Sequence, residues 1–219
     1  MKKHMRFCAV VALVLALSMA LCACGGSSDG KTMSIGSING STYTNNYVGF
    51  AMTLDSGWTI YPAEELQDLP ENIADLMEGS EIGDAMDSLE QFTDVLAENT
   101  TEMTTINVLY QKLDLPTKLS YASMREEAIV DAVLAQSDMM IDGYAQAGID
   151  VDKMEKVTVT FLGQPRVAIA TTATVSGTPY YILQIYDFHL GDYSSTITFG
   201  SFVENKTMEL LKLCQPINE

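Results

Sequence analysis

The spacing of apolar residues changes period along this chain, and those changes predict its elements. Tyr47-Val48-Gly49-Phe50-Ala51-Met52-Thr53-Leu54 reads as a strand, turned at Asp55-Ser56-Gly57 into a second short strand at Trp58-Thr59-Ile60. Pro62 with Glu64 and Glu65 behind it predicts a helix start, because proline suits the first turn and carboxylates suit the positive end of the helix dipole. That helix is expected to run, with a break at Pro70, to about Met77, and a second one to cover 82–97. Ile106, Val108 and Tyr110 share one side of a strand over 103–113. From Ser120 to Ala147, Met124, Ala128, Ile129, Val133, Met140, Ile141 and Tyr144 form a broad helical stripe, which predicts the main helix.

The last third shifts to a period of two. Val157, Val159 and Phe161 alternate with Lys156, Thr158 and Thr160; Gly163-Gln164, Ser176-Gly177 and Gly191-Asp192 then separate Val167–Thr171, Tyr180–His189 and Ser195–Val203. Four strands joined by short glycine-containing turns make an antiparallel meander. Tyr180, Ile182 and Tyr186 lie on one face of the third strand and Tyr181, Leu183 and Ile185 on the other. A strand apolar on both faces needs cover on both, so helices are expected on each side, with 205–213 as a closing helix. The expected fold class is α+β: an antiparallel sheet with a C-terminal four-stranded meander, flanked by helices on both faces.

The N-terminus follows a different pattern. Lys2, Lys3 and Arg6 precede an uncharged apolar run from Phe7 to Leu21, the layout of an export signal. Fifteen residues at about 1.5 Å each fall short of a bilayer core of about 30 Å. At the end of that run, Leu21-Cys22-Ala23-Cys24 resembles the bacterial lipobox, with Cys22 as its one departure. An ordinary signal peptidase site is the alternative, but the four-residue match falling at the end of the apolar run favours the lipobox. The resemblance implies lipidation of Cys24 after removal of 1–23, and a diacyl anchor supplies the two chains that stable anchoring takes.

Composition then sharpens the picture. The chain has 12 Lys+Arg against 29 Asp+Glu, a formal charge of −17, which excludes a nucleic-acid partner bound through phosphates. Removing 1–23 takes away three basic residues and no acidic one, so −17 becomes −20 for the exported part. Of the four cysteines, Cys24 and Cys214 remain; with Cys24 lipidated, no internal disulfide is available, and Cys214 reads as a small buried hydrophobe. The stretch 24–42 carries the lipidated cysteine and a Gly/Ser-rich flexible spacer of roughly 25 Å root-mean-square span. The rest, 43–219, is expected to be a single domain.

The opening Tyr43…Asn46-Tyr47-Val48-Gly49-Phe50-Ala51-Met52-Thr53-Leu54-Asp55-Ser56-Gly57-Trp58 is similar to the start of PsbP-like domains, with Asp55 where proline is usual. That group includes the photosystem extrinsic protein PsbP, the yeast Ran-binding Mog protein and many bacterial lipoproteins. The resemblance implies an α/β/α sandwich over about 43–217. It brings no catalytic residue, since fold does not carry function.

Candidate chemistry is sparse. His189 is the only histidine left after export, and Asp187 lies two residues before it; side-by-side positions on one strand make a poor relay, and no Gly-x-Ser-x-Gly elbow is present. Glu78, Glu81, Asp84, Asp87 and Glu90 recur every three residues without the loop spacing that calcium needs, so a solvated helix surface with weak divalent-cation association is expected. Asp138, Asp142, Asp150 and Asp152 read as helix-end and turn residues, and Met139-Met140 as core filling. Tyr180, Tyr186, Asp187, His189 and Tyr193 make the candidate ligand or partner surface, with a tyrosine-packed sheet as the competing account. No cofactor and no resident metal are expected. The resulting expectation is a lipid-anchored protein on the extracytoplasmic face of a Gram-positive membrane, non-catalytic, binding an envelope protein or peptide. The alternative is a small-ligand or cation-binding lipoprotein, or less plausibly a hydrolytic one.

Overall fold

The computed structural model describes residues 34–66, 91–146, 148–188 and 191–217. Among the described residues there are eleven strands in two sheets. The smaller holds β1 (Ser37–Asn39), β2 (Thr42–Asn45), β3 (Phe50–Thr53) and β11 (Cys214–Pro216), in that order. The larger holds β4 (Thr59–Pro62), β5 (Gln91–Asn99), β6 (Thr104–Lys112), β7 (Ile149–Phe161), β8 (Gln164–Val175), β9 (Thr178–Asp187) and β10 (Tyr193–Phe202), ordered β4-β5-β6-β10-β9-β8-β7. Every pairing is antiparallel. Three helices, α1 (Leu115–Ala122), α2 (Glu126–Leu134) and α3 (Ser137–Gln146), connect β6 to β7, and α4 (Thr207–Leu210) precedes β11.

This corrects the expected helix-flanked α/β/α sandwich. The C-terminal strands do not form the sheet by themselves; they continue through β6 into β5 and β4 to make seven. One face is covered by the four-stranded sheet in place of helices: Tyr43, Phe50, Met52 and Cys214 meet Val95, Ile106, Val108, Leu183, Ile197 and Phe199 there. On the other face Ile129, Val130, Val133, Met140 and Tyr144 of α2 and α3 pack on Ile169, Tyr180, Ile182 and Tyr186. Strand β9 is therefore buried on both sides, by one layer of helix and one layer of sheet.

Three local features set the elements apart from the expected ones. Segment 91–97 is strand rather than helix, paired with β6 and, over 95–97, with β4; a β-bulge between Thr93 and Val95 puts Phe92 and Val95 on one face at helix-like spacing. Residues 82–90 of that expected helix, and 67–77 of the first, lie outside the described residues; what is described after Pro62 is a 3₁₀ turn at Ala63–Glu65. The long helix expected over 120–147 is three, because Ser123 ends α1 and Arg125 is extended (ψ 149°), and because α2 ends at its C-cap Ala135 before α3 starts at Ser137. At its start, Asp114 accepts a hydrogen bond from the Thr117 backbone N–H at 3.0 Å, with Pro116 in the first turn. The closing helix lasts one turn at α4 and a 3₁₀ turn at Leu211–Leu213 before the chain becomes β11.

The structured part also begins before Tyr43. Strand β1 pairs with β2, so part of the expected spacer is paired chain. Asp150 and Asp152 lie on β7, with a register shift between Val151 and Lys153, rather than in a turn.

Candidate functional site

Two polar constellations stand out, one at an end of the larger sheet and one between the two sheets. The first is built on the β8–β9 ladder. Ala168 pairs with Ile185, so Arg166 and Asp187, two residues further along each strand, come level at the end of the sheet. Helix α2 lies across the helix-side face there and brings Glu126 and Ile129. The Arg166 Nε donates to Glu126 Oε1 at 2.5 Å, Nη2 donates to the Tyr186 carbonyl at 2.9 Å, and Asp187 Oδ2 lies 3.9 Å from Nη2. Together with Tyr186 and Phe188 these residues line a cavity of about 240 Å³. The Tyr186 and Phe188 rings lie parallel, 5.9 Å apart, and Tyr121 packs 4.6 Å from Phe188.

One guanidinium thus sits among two carboxylates above aromatic rings. Its fork holds the sheet end to α2, while the two carboxylates leave the lining one negative charge in excess. A second cation, Lys156, bridges Glu127 (3.1 Å) and Asp131 (2.6 Å), tying α2 to β7 further along; those two carboxylates raise its pKa.

The second constellation surrounds Asp94, at the bulge in β5. Its carboxylate accepts from the Gly36 backbone N–H (3.0 and 3.1 Å), from the Tyr43 hydroxyl (2.5 Å) and from Asn45 Nδ2 (2.9 Å). Asn45 Nδ2 also donates to the Tyr43 (2.6 Å) and Tyr110 (2.7 Å) hydroxyl oxygens, and Asn45 Oδ1 accepts from the Val48 N–H at 2.8 Å. Asp94 is 2% exposed and Asn45 fully buried. Burial raises the Asp94 carboxyl above the usual carboxylate range, against the pull of those donors, and raises the Tyr43 phenol as well. A side chain at Gly36 would meet the Tyr43 ring at 2.3 Å, so only glycine lets the backbone approach this closely. The network reads as a clamp on the chain at Gly36 rather than a reacting centre.

The residues singled out from the sequence part company. Tyr186 and Asp187 line the sheet-end cavity. Tyr180 is fully buried, stacked 4.1 Å from Phe202, and Tyr193 packs edge-on 6.1 Å from Phe92 on the opposite side of the sheet. His189, Cys24 and the acidic series from Glu78 to Glu90 lie outside the described residues. Arg166 and Glu126, which complete the cavity, had no sequence signal: 40 residues separate them, and only the packing of α2 on β8 brings them together. Cys214 is buried, and burial pushes its thiol up to about 12.

No protein-family model matches this chain, and no curated protein matches it in sequence. Among solved structures it is similar to the solution structure of cyanobacterial PsbP (CyanoP) from Synechocystis sp. PCC 6803. The identity is 12% and the TM-score 0.39, over 85% of this chain and 91% of that one. No residue role passes from that protein to this one.

Proposed function

We propose that this chain is a lipid-anchored, extracytoplasmic binding protein without catalytic activity, whose partner is a protein or peptide presenting a basic side chain. The observation that carries this reading is the sheet-end cavity of Glu126, Ile129, Arg166, Tyr186, Asp187 and Phe188. At about 240 Å³ it is smaller than the ~300–1,000 Å³ of pockets that enclose whole small molecules, and suits one inserted side chain. Its excess carboxylate and aromatic lining favour an ammonium or guanidinium on an apolar stem. A charge of −20 on the exported part draws basic partners by long-range attraction. The lipobox-like Leu21-Cys22-Ala23-Cys24 supports the anchor.

Surface plasmon resonance on the exported domain, with one peptide carrying lysine, arginine or norleucine at a single position, tests the reading. Lysine and arginine forms are expected to bind at least tenfold more tightly than the norleucine form, with the difference lost in Glu126→Gln. Equal response to all three peptides would count against it. Replacing Cys24 with serine is expected to release the protein from membranes; retention would remove the anchor.

A further inference from the structure

Four strands end the two sheets, and among the described residues three of them are poor templates for a further strand. β1 has three residues, β4 has four and ends at Pro62, and β11 has three and ends at Pro216. Short length and proline are common means by which a sheet edge is closed to pairing. β7 is different: it runs 13 residues, Ile149–Phe161, and among the described residues it pairs with β8 alone. Gly36 is clamped on β5, Leu66 packs on Leu96 of β5, and Gln91 begins β5; β7 lies five strand spacings from that strand, about 24 Å away.

The two halves of β7 are built differently. The first holds the register shift between Val151 and Lys153 and the charged residues Asp150, Asp152, Lys153, Glu155 and Lys156. A bulge and charges on an edge keep other strands off. The second half, Val157-Thr158-Val159-Thr160-Phe161, has no charge, proline, glycine or bulge, and every residue in it is a strand former. Val159 and Phe161 are buried and Val157 half-buried in the layer shared with the smaller sheet, while Thr158 and Thr160 are exposed on the other face. The protections seen elsewhere are thus missing along about 17 Å of edge.

Charge decides the occupant. Two copies of a chain of −17 repel each other, which works against self-pairing. Within the first half, Lys153 is tied to Glu155 at 2.7 Å and Lys156 to Glu127 and Asp131 of α2. The Asp152 carboxylate has only Thr174 Oγ1 at 3.4 Å, and the Asp150 carboxylate has no partner among the described residues; both side chains are exposed. A strand laid on the second half and continuing past Val157 meets these two carboxylates. The segment that fits has apolar residues at alternate positions, beside Val157, Val159 and Phe161, and basic residues at the end that passes Asp152 and Asp150.

We infer that residues 157–161 of β7 are a docking edge that takes an extended peptide segment as an eighth strand, the segment being apolar at alternate positions and basic beyond them. This mode draws affinity from main-chain hydrogen bonds and specificity from alternate side chains. The inference does not rest on the sheet-end cavity. Fluorescence anisotropy of the exported domain with a labelled peptide, Val-Thr-Val-Thr-Val-Ser-Ser-Ser-Lys-Lys, tests it beside the same peptide ending in Glu-Glu. Two further probes carry backbone N-methyl groups on the valines or on the threonines. The Lys-Lys peptide is expected to saturate and to bind at least tenfold more tightly than the Glu-Glu form, with that preference lost in Asp150→Asn/Asp152→Asn. One N-methylated peptide is expected to lose binding and the other to keep it, because a strand turns alternate N–H groups toward its neighbour. Thr158→Lys/Thr160→Lys, at two exposed positions, is expected to weaken binding at least tenfold. Should that variant not fold, the pair of N-methylated peptides on the unaltered protein carries the comparison. No saturation by the Lys-Lys peptide, or equal binding by the two N-methylated peptides, overturns the inference. Concentration-dependent sedimentation of the domain alone that is lost in Thr158→Lys/Thr160→Lys would assign the edge to a second copy and overturns it too.

Discussion

Replacing Asp94 with alanine tests how the two sheets are joined. The substitution removes the acceptor of the Tyr43 hydroxyl proton, takes one of three acceptors from Asn45 Nδ2, and frees the Gly36 N–H. A buried donor left without a partner costs about 1–3 kcal/mol, and hydrogen bonds to a charged group are worth about 1.5–3 kcal/mol each. Against this, removing a buried carboxylate relieves the desolvation that raises its pKa, and Asn45 keeps its bonds to Tyr43 and Tyr110. We expect a net loss of about 2–3 kcal/mol at pH 7. With a urea slope of about 2 kcal/mol/M, the unfolding midpoint falls by about 1–1.5 M. Asp94→Asn keeps one carbonyl acceptor and is expected to lose about 1 kcal/mol. The pH dependence adds a second reading. Because the folded carboxyl is raised, the folded chain binds this proton more tightly than the unfolded chain, and stability from this group falls as pH rises through the interval above the ordinary carboxylate value. The cost of Asp94→Ala is therefore largest near pH 4 and smaller at pH 8. Urea melts by tryptophan fluorescence at both pH values measure this. A loss under 0.5 kcal/mol with native near-ultraviolet dichroism, or a cost that grows with pH, would refute the reasoning.

Four further outcomes are expected. Cys214, buried with its thiol pushed up to about 12, should react with a disulfide reagent at pH 8 at least a hundredfold more slowly in the folded protein than in urea; equal rates would contradict its burial. A β-carbon at Gly200 would meet Thr105 Oγ1 at 2.5 Å and the Tyr180 hydroxyl at 2.9 Å, so Gly200→Ala should cost about 1–3 kcal/mol. Tyr180→Phe, which removes a buried hydroxyl without a partner, should cost nothing or stabilise by about 1 kcal/mol in thermal melts. Arg166→Met should lower stability by about 1–2 kcal/mol, discounted for the partial exposure of the pair, by leaving Glu126 without its Nε bond; an unchanged melt would show that this fork does not hold α2.

The position of most strands was legible because turn chemistry and alternation mark them locally. The Gly163-Gln164, Ser176-Gly177 and Gly191-Asp192 turns separate β7 to β10, and the structure has Gly163, Gly177 and Gly191 at positive φ. What failed was the reading of segments whose period a single residue disturbs. The bulge at Asp94 gives Phe92 and Val95 a helical interval on a strand, and the breaks at Ser123–Arg125 and at Ala135–Gln136 cut one stripe into three helices. Two of the six residues lining the sheet-end cavity, Tyr186 and Asp187, were named from the sequence as polar or aromatic residues beside the strand end. Glu126 and Arg166 were not, because an ion pair between residues that far apart leaves no mark in either local pattern.

The sequence by itself determined the charge, the buried character of Cys214 and the requirement that β9 be covered on both faces. Each follows from composition or from neighbours within a few residues, where chain connectivity sets the geometry. Only the tertiary structure decided that one cover is a second sheet, that Gly36 is clamped by Asp94, and that β7 stands at an edge of the larger sheet. Strands of three or four residues such as β2, β3 and β11 carry too few positions to show a period. Their pairing is settled by the apolar face they close, and that face is assembled from segments more than a hundred residues apart, so the free energy that selects it has no local signature.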